Sequence, residues 1–476
     1  MDRLVLSRIV CSLGAAALAG CMMGPDYRRP SAEASAAYKE AAGWKVAQPQ
    51  DEVPRGNWWS IFGDAKLDEL EAQVDINNQN IKAAEANVRQ AQALTQAARA
   101  ALFPTVNANA SATRSRAPAS GSTLNRPGVL NTYNVALDSS WEVDLWGSVR
   151  RNVESKAASE QASAANLEVA RLSAQALLAQ DYWLLRVSDA DIALLNETVS
   201  AYEKSLQLTR NQYAVGVAGR SDVVQAETQL KSTQAQALDA AVQRAQLEHA
   251  IAILIGKPPA EVSIAVEPVK WTFPDIPTGM PSELLERRPD IAAAERSVAA
   301  ANAQIGVAEA AFFPSLTLSA LGGYQTSSFA QLISMPTQYW AIGAAVAQAI
   351  FDAGLRSAQK AQAVAAYDET VATYRQTVLN GFQEVEDNLA ALRILEQEAV
   401  VQDEAVKAAR ESVTITNNQY KAGTTNYIAV VVVQAAALNN ERTALDILGR
   451  RLTASVGLIK ALGGGWNASE LAQAQP

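Results

Sequence analysis

Few residues in this chain have types and spacing that could do chemistry, and their positions exclude more than they permit. Cys21 ends the run Leu18-Ala19-Gly20-Cys21, small residues before a cysteine, which is what a lipoprotein signal peptidase accepts. Cleavage there would leave Cys21 first in the mature chain, carrying N-acyl and S-diacylglycerol groups. The apolar stretch before it, Ile9 to Gly20, is twelve residues long, short of the about 20 that span a bilayer. Arg3 and Arg8 give it the positive start of an export signal. An ordinary signal peptide with a chance cysteine is the simpler alternative. Cys11 lies in the removed part, so the one mature cysteine is used by lipid, and no thiol is left for a disulfide, a nucleophile or a metal site. The only histidine, His249, sits in a helical pattern and reads as a structural or surface residue, which excludes a His-based metal site or triad. Glu384 and Glu386 are paired acids on a charged helix and read as solvated. With no nucleophile and no metal site in view, the expectation is a protein that is not an enzyme.

Charge narrows the partners. Without residues 1–20 the chain holds 38 basic and 48 acidic residues, a net charge of −10, which argues against nucleic acid. Beyond the signal no run of 18 apolar residues exists, so no transmembrane helix is expected. If the chain crosses a membrane, it must do so with strands.

The elements that position these residues are duplicated. "LTRNQYAVG" (208–216) matches "ITNNQYKAG" (415–423), and "AALFPTVNANAS" (100–111) matches "AAFFPSLTLSAL" (310–321). Residues 148–215 contain no Gly or Pro, residues 355–422 only Gly381, and each stretch is followed by a glycine, Gly216 or Gly423, as helices commonly end. A helix of that length reaches roughly 100 Å, more than a globular core needs. Leu178, Leu185, Ile192, Val199 and Leu206 recur every seven residues, and Val385, Leu392, Ala399, Val406 and Val413 keep the phase. That spacing is a coiled-coil seam. A plain helical bundle or filamentous adaptor remains open on helices alone.

Strands are expected where Phe103-Pro104 and Phe313-Pro314 stop the incoming helices. In 105–113, Val106, Ala108, Ala110 and Ala112 alternate with Thr105, Asn107, Asn109, Ser111 and Thr113. In 133–146, Tyr133, Val135, Leu137, Trp141, Val143 and Leu145 oppose Asn134, Asp138, Ser140, Glu142 and Asp144. Strands of about ten residues with one apolar face fit a transmembrane β-barrel, although alternation alone leaves a soluble hairpin open. Asp138, Glu142 and Asp144 share a parity and would line a watery lumen with mild cation preference. Two hairpins make four strands, too few to close a barrel, and an open edge in lipid is costly. Copies must therefore share one: two would give eight strands and a filled interior, three would give twelve and a pore.

The stretches "CMMGPDYRRP", "NWWSIFGDAKLDELEAQ", "IPTGMPSELLERRPDIAAAE", "ANAQIGVAEAAFFPSL", "IFDAGLR" and "GFQEVEDNLAAL" resemble the outer-membrane efflux protein family, the TolC-like channels. They resemble in particular its lipoprotein branch, which serves resistance-nodulation-division pumps. The resemblance implies a mainly α fold with transmembrane β: a homotrimer with a shared 12-stranded β-barrel in outer-membrane lipid and a periplasmic α-helical barrel of coiled-coil helices. It implies passive small-molecule export with an inner-membrane pump and a periplasmic adaptor. It also makes Cys21 the acylated anchor, and Met22 in place of aspartate favours outer-membrane delivery. The division that follows is 1–20 signal, 21–63 anchored segment entering an equatorial belt, 64–260 first repeat, 261–281 linker in the belt, 282–463 second repeat and 464–476 tail. The first repeat holds a hairpin over about 104–146, a long helix over 148–215 and a tip at 215–221. The second holds a hairpin over about 314–351, a long helix over 355–422 and a tip at 423–428. Val215, Gly216, Gly219, Gly423 and Thr424 would meet the adaptor. Asp222 and Tyr420 match residues that hydrogen-bond between helix pairs in the family's closed state. Thr425 replaces an arginine of that latch, and Ala429 and Val432 stand where some members carry acids. Closure by Ile428 and Val432, a dewetting apolar ring, is expected instead of a carboxylate ring, with packing of these side chains between helices as the alternative. The alternatives are a duct for protein secretion and a pore-free periplasmic coiled-coil lipoprotein.

Overall fold

Asp64 opens the first helix, α1 (Ala65–Asn77), by accepting hydrogen bonds from the backbone N–H groups of Lys66 and Leu67. Asn78 repeats the device for α2 (Gln79–Ala100), its amide oxygen accepting from Asn80 and Ile81 at 2.9 and 3.2 Å. Helix α2 stops before Pro104. The chain then extends as β1 (Thr105–Arg116) and β2 (Val129–Val143) before α3 (Ser148–Ala214) and α4 (Arg220–Leu254). The second copy is α5 (Pro289–Ala310), β3 (Ser315–Thr326), β4 (Gln338–Ala347), α6 (Leu355–Lys421) and α7 (Tyr427–Ala461). Matching helices have equal lengths: 22 residues in α2 and α5, 67 in α3 and α6, 35 in α4 and α7. The computed structural model describes residues 22–32, 37–40, 57–116, 129–267, 273, 276 and 284–466. The predicted signal, Cys21, most of the predicted linker and the tail beyond residue 466 lie outside the described residues.

Compaction does not follow the duplication. Each of two compact units draws on both repeats: one on residues 1–31, 87–163 and 293–374, the other on 32–86, 164–292 and 375–476.

The first unit holds one antiparallel sheet in the order β1-β2-β3-β4. The two predicted hairpins are thus joined, with β2 paired to β3 from Tyr133↔Thr326 to Val143↔Leu316. Among the described residues β1 and β4 each keep one unpaired edge. The unbroken register gives each face one parity. Val106, Val135, Leu137, Leu318, Trp340, Ile342 and Val346 all fall on one face and are all exposed, Trp340 at 73% and Ile342 at 78%. The other face is polar: Asn107 and Asn109 both donate to the Asp138 carboxylate, and Tyr339 donates to Asn134 at 2.8 Å.

At the helical end of this sheet the N-terminal segment is clamped. Met23 N–H donates to Trp146 O at 3.0 Å. Buried Arg151 donates to the carbonyls of Met23 and Gly24 and pairs with Asp26 at 2.9 Å. Gly24, at φ +88°, crosses α5 at Gly306, where a Cβ on either glycine would overlap the other segment.

In the second unit most of the seven-residue seam faces inward: Leu178, Leu185, Leu206, Val385, Leu392 and Val406 are buried, and Ile192, Val199, Ala399 and Val413 are half-buried. Trp58, Trp59 and Phe62 pack near Tyr182 and Trp183, with Phe62 and Trp183 ring centroids 5.4 Å apart, and Tyr182 donates to Asp64 at 2.8 Å. Arg288 is buried beside Gly381 and binds Asp290, Glu384 at 2.8 Å and the Ala461 carbonyl at 3.0 Å, which caps the end of α7. Glu384 and Glu386 are therefore not simply solvated acids. Glu384 holds Arg288, and Glu386 accepts the backbone N–H groups of Lys39 and Glu40.

Candidate functional site

Among the described residues no group of acidic, histidine or cysteine side chains could hold a metal ion, and no helix is long and apolar enough to cross a membrane. His249 is exposed on α4. The functional candidates are the turns between long helices, the two faces of the sheet and the clamped segment after residue 21.

Both turns are built alike. After α3, Val217 N–H returns to Gln212 O at 2.8 Å and Gly216 N–H to Tyr213 O at 3.0 Å. After α6, Thr424 N–H returns to Gln419 O and Gly423 N–H to Tyr420 O, both at 3.0 Å. These are paired Schellman closures, with Gly216 at φ +78° and Gly423 at φ +72°. Helix α4 restarts at Gly219, whose N–H donates to the Asp222 carboxylate at 3.1 Å. Helix α7 restarts at Asn426, whose side chain accepts from Ala429 N–H. Val215, Gly216, Gly219, Gly423 and Thr424 therefore shape exposed turns, with Val215 and Val217 open to solvent.

Just behind the turns Tyr202, Leu206, Ala226, Leu230, Tyr427 and Val430 form a buried cluster. Tyr420 packs on it, its ring edge-on to Tyr427 at 5.4 Å. The expected Asp222–Tyr420 bond is not made within the chain. Asp222 is turned to the Gly219 N–H of its own helix start, and Tyr420 donates instead to Gln212 at 2.6 Å. Burial pushes the Tyr427 phenol above its usual range, and its hydroxyl lies 3.2 Å from Ser205 Oγ. Gln212 lies in the duplicated stretch 208–216 and Tyr427 in the predicted tip 423–428, yet neither stood out from the sequence. Helical phase separates the apolar residues of α7: Tyr427 and Val430 are buried, whereas Ile428 is 49% and Val432 61% exposed. Neither Ile428 nor Val432 is consumed by packing within the protomer.

On the sheet, Asp138 and Glu142 lie on the polar face as their parity requires. Asp144 does not. Strand β2 ends at Val143, and the Asp144 carboxylate turns to the start of α3, accepting from Val149 and Arg150 N–H at 3.0 Å and pairing with the Arg150 guanidinium at 3.1 Å. It is a helix cap, not a face residue. The second repeat places Asp352 likewise, accepting from Gly354 and Arg356 N–H. The Arg356 side chain hydrogen bond holds the Asp352 carboxyl below its ordinary range. Asp144 shares the parity of Asp138 and Glu142 but lies one residue past the end of β2. Arg151 and Arg288 were also missed as individual residues, although Arg288 stands in the quoted "LLERRPD".

Comparison with known proteins agrees with this geometry. The family model described as "Outer membrane efflux protein" matches residues 71–257 and again 280–464. The probable efflux pump outer membrane protein TtgC of Pseudomonas putida is 32% identical over 456 residues, covering 94% of this chain and 93% of that protein. Outer membrane protein OprJ of Pseudomonas aeruginosa is 32% identical over 458 residues, 94% of each chain. The crystal structure of the Campylobacter jejuni CmeC outer membrane channel superposes with a TM-score of 0.90 at 25% identity, over 95% of this chain and 97% of that one. With one family model matched once by each repeat and relatives alike over nearly their whole length, the chain belongs to the outer membrane efflux protein family.

Proposed function

We propose that three copies of this chain form a passive duct in the outer membrane, the outer part of a tripartite system that exports small molecules such as drugs or solvents. The carrying observation is the sheet. An exposed, contiguous apolar face opposite a hydrogen-bonded polar face is a liability in water and a requirement for a lipid-embedded barrel. Its two free edges need partners, and three copies supply twelve strands, wide enough for a channel. Asp138 and Glu142 would then face the lumen and favour cations. The long helices would continue the duct, with Ile428 and Val432 left free to close it as an apolar ring. The exposed turns at Val215, Gly216, Gly219, Gly423 and Thr424 would meet a periplasmic adaptor, which links the duct to an inner-membrane resistance-nodulation-division pump. Asp222 and Tyr420 would belong to a latch between helix pairs in the closed state.

Lipid on Cys21 fits the same picture. The Met23 bond to Trp146 ties the segment just after Cys21 to the end of the sheet that meets the helices, the level expected of the inner leaflet. No chemistry is assigned to any residue: substrate moves through the duct without being changed. The relatives' names speak of efflux pumps, which favours this reading over protein secretion. The exposed sheet face disfavours a pore-free adaptor. Purified full-length protein should run as a heat-sensitive trimer and give discrete ion-conducting steps in planar bilayers, with a reversal potential showing cation preference. A monomer that is electrically silent would overturn the proposal.

A further inference from the structure

The apolar face of the sheet ends in two arginines. From Val143 to Tyr133 the register runs along β2, about 34 Å of strand and about 26 Å of height at a tilt near 40°. That equals the apolar band of an outer-membrane barrel. Beyond Tyr133, on the edge away from the helices, β1 and β2 continue together to Arg116↔Val129. Arg114 and Arg116 share the parity of Val106, Ala108, Ala110 and Ala112, so they stand on the apolar face and not on the face of Asn107, Asn109 and Asp138. Both are exposed, and neither is ion-paired among the described residues. Just below them Tyr133 meets Phe329 edge-on with centroids 5.6 Å apart, the kind of aromatic girdle that marks a membrane interface. The equivalent face of β3 carries Tyr324 and Thr326, so the charge belongs to one hairpin of the two.

Resting on the duct reading above, we propose that Arg114 and Arg116 form a binding site for the phosphate groups of an acidic outer-leaflet lipid. An arginine on a lipid-facing strand is unfavourable at mid-depth but tolerated at the interface. Two residues apart on one face, the pair can grip one phosphate bidentately or two neighbouring phosphates singly. They would replace the divalent cations that otherwise bridge such headgroups, and so seal lipid around the barrel.

The test uses purified full-length trimer in neutral detergent with EDTA, titrated with diphosphoryl lipid A and read by native mass spectrometry. Wild type should retain diphosphoryl lipid A but not its dephosphorylated form, and inorganic phosphate should compete only weakly. R114Q/R116Q should bind diphosphoryl lipid A roughly thirtyfold more weakly, since each arginine near an anionic surface contributes a few-fold. R114K/R116K should fall between. Both variants should remain trimeric and conduct as wild type does, which separates this proposal from the duct itself. Equal lipid retention by R114Q/R116Q and wild type, or retention of the dephosphorylated lipid, would overturn the site. So would loss of the trimer in R114Q/R116Q, which would place the arginines at a protomer contact.

Discussion

Glu71 carries a carboxyl group into the buried side of α1, beside Leu67, Leu70 and Val74 on the same helix face. Neither carboxylate oxygen has a hydrogen-bond partner among the described residues. Burial pushes its pKa well above the ordinary glutamate value of 4.5, and the charges of Asp75 and Asp68 push the same way. The folded state therefore holds the proton more tightly than the unfolded chain. Stability from this group is fully present below pH 4.5 and is lost as pH rises through the raised folded value. Glu71→Gln should raise the thermal midpoint more at pH 7.5 than at pH 5, and so flatten the pH profile. An unchanged difference between the two pH values would contradict a buried, titrating carboxyl. The sequence did not reveal this, because "LDELEAQV" reads as a solvated helix and only packing decides which acid is covered. Asp144 makes the same point in reverse. Its type and parity were legible, but the strand ended one residue earlier, and a cap claimed the carboxylate.

At the scale of elements, what was local was legible. Helices predicted over 148–215 and 355–422 are Ser148–Ala214 and Leu355–Lys421, because proline-free heptads and a terminal glycine determine a helix from within. The pairing of β2 with β3 was not legible. It joins residues far apart in the chain, and nothing in either strand names its partner. The turn after α6 shows how phase assigns roles in a short apolar run. In "YIAVVVVQ" the spacing of three residues sends Tyr427 and Val430 into the core, while Ile428 and Val432 stay outside. Val432→Asp should therefore fold normally, since no buried contact is lost. In the trimer it should place three carboxylates around the axis, raising closed-state cation leak and introducing block by divalent cations. Conductance identical to wild type, with no such block, would remove Val432 from the pore lining. Within one chain Asp222 accepts from Gly219 N–H and Tyr420 donates to Gln212, so the two side chains hold separate partners on this side of the turns.

For the whole molecule, one structural fact sets the assembly. A sheet with an apolar face turned outward and two open edges cannot rest alone in lipid, where each unpaired backbone group costs several kcal/mol. Among the described residues duplication supplies four strands, so closure has to come from other copies, and only a barrel wider than eight strands leaves water inside. The duplication and the strand count were legible in the sequence. The bond from Met23 to Trp146 was not, because it depends on how Arg151 and Gly306 seat the segment that follows Cys21. Electron cryomicroscopy of the purified full-length protein tests the central claim most directly. The account predicts three copies about one axis, with β1 of each protomer hydrogen-bonded to β4 of the next in a closed barrel of twelve strands around water. A monomer, a dimer with a filled barrel, or any particle whose β1 and β4 edges stay unpaired would contradict it.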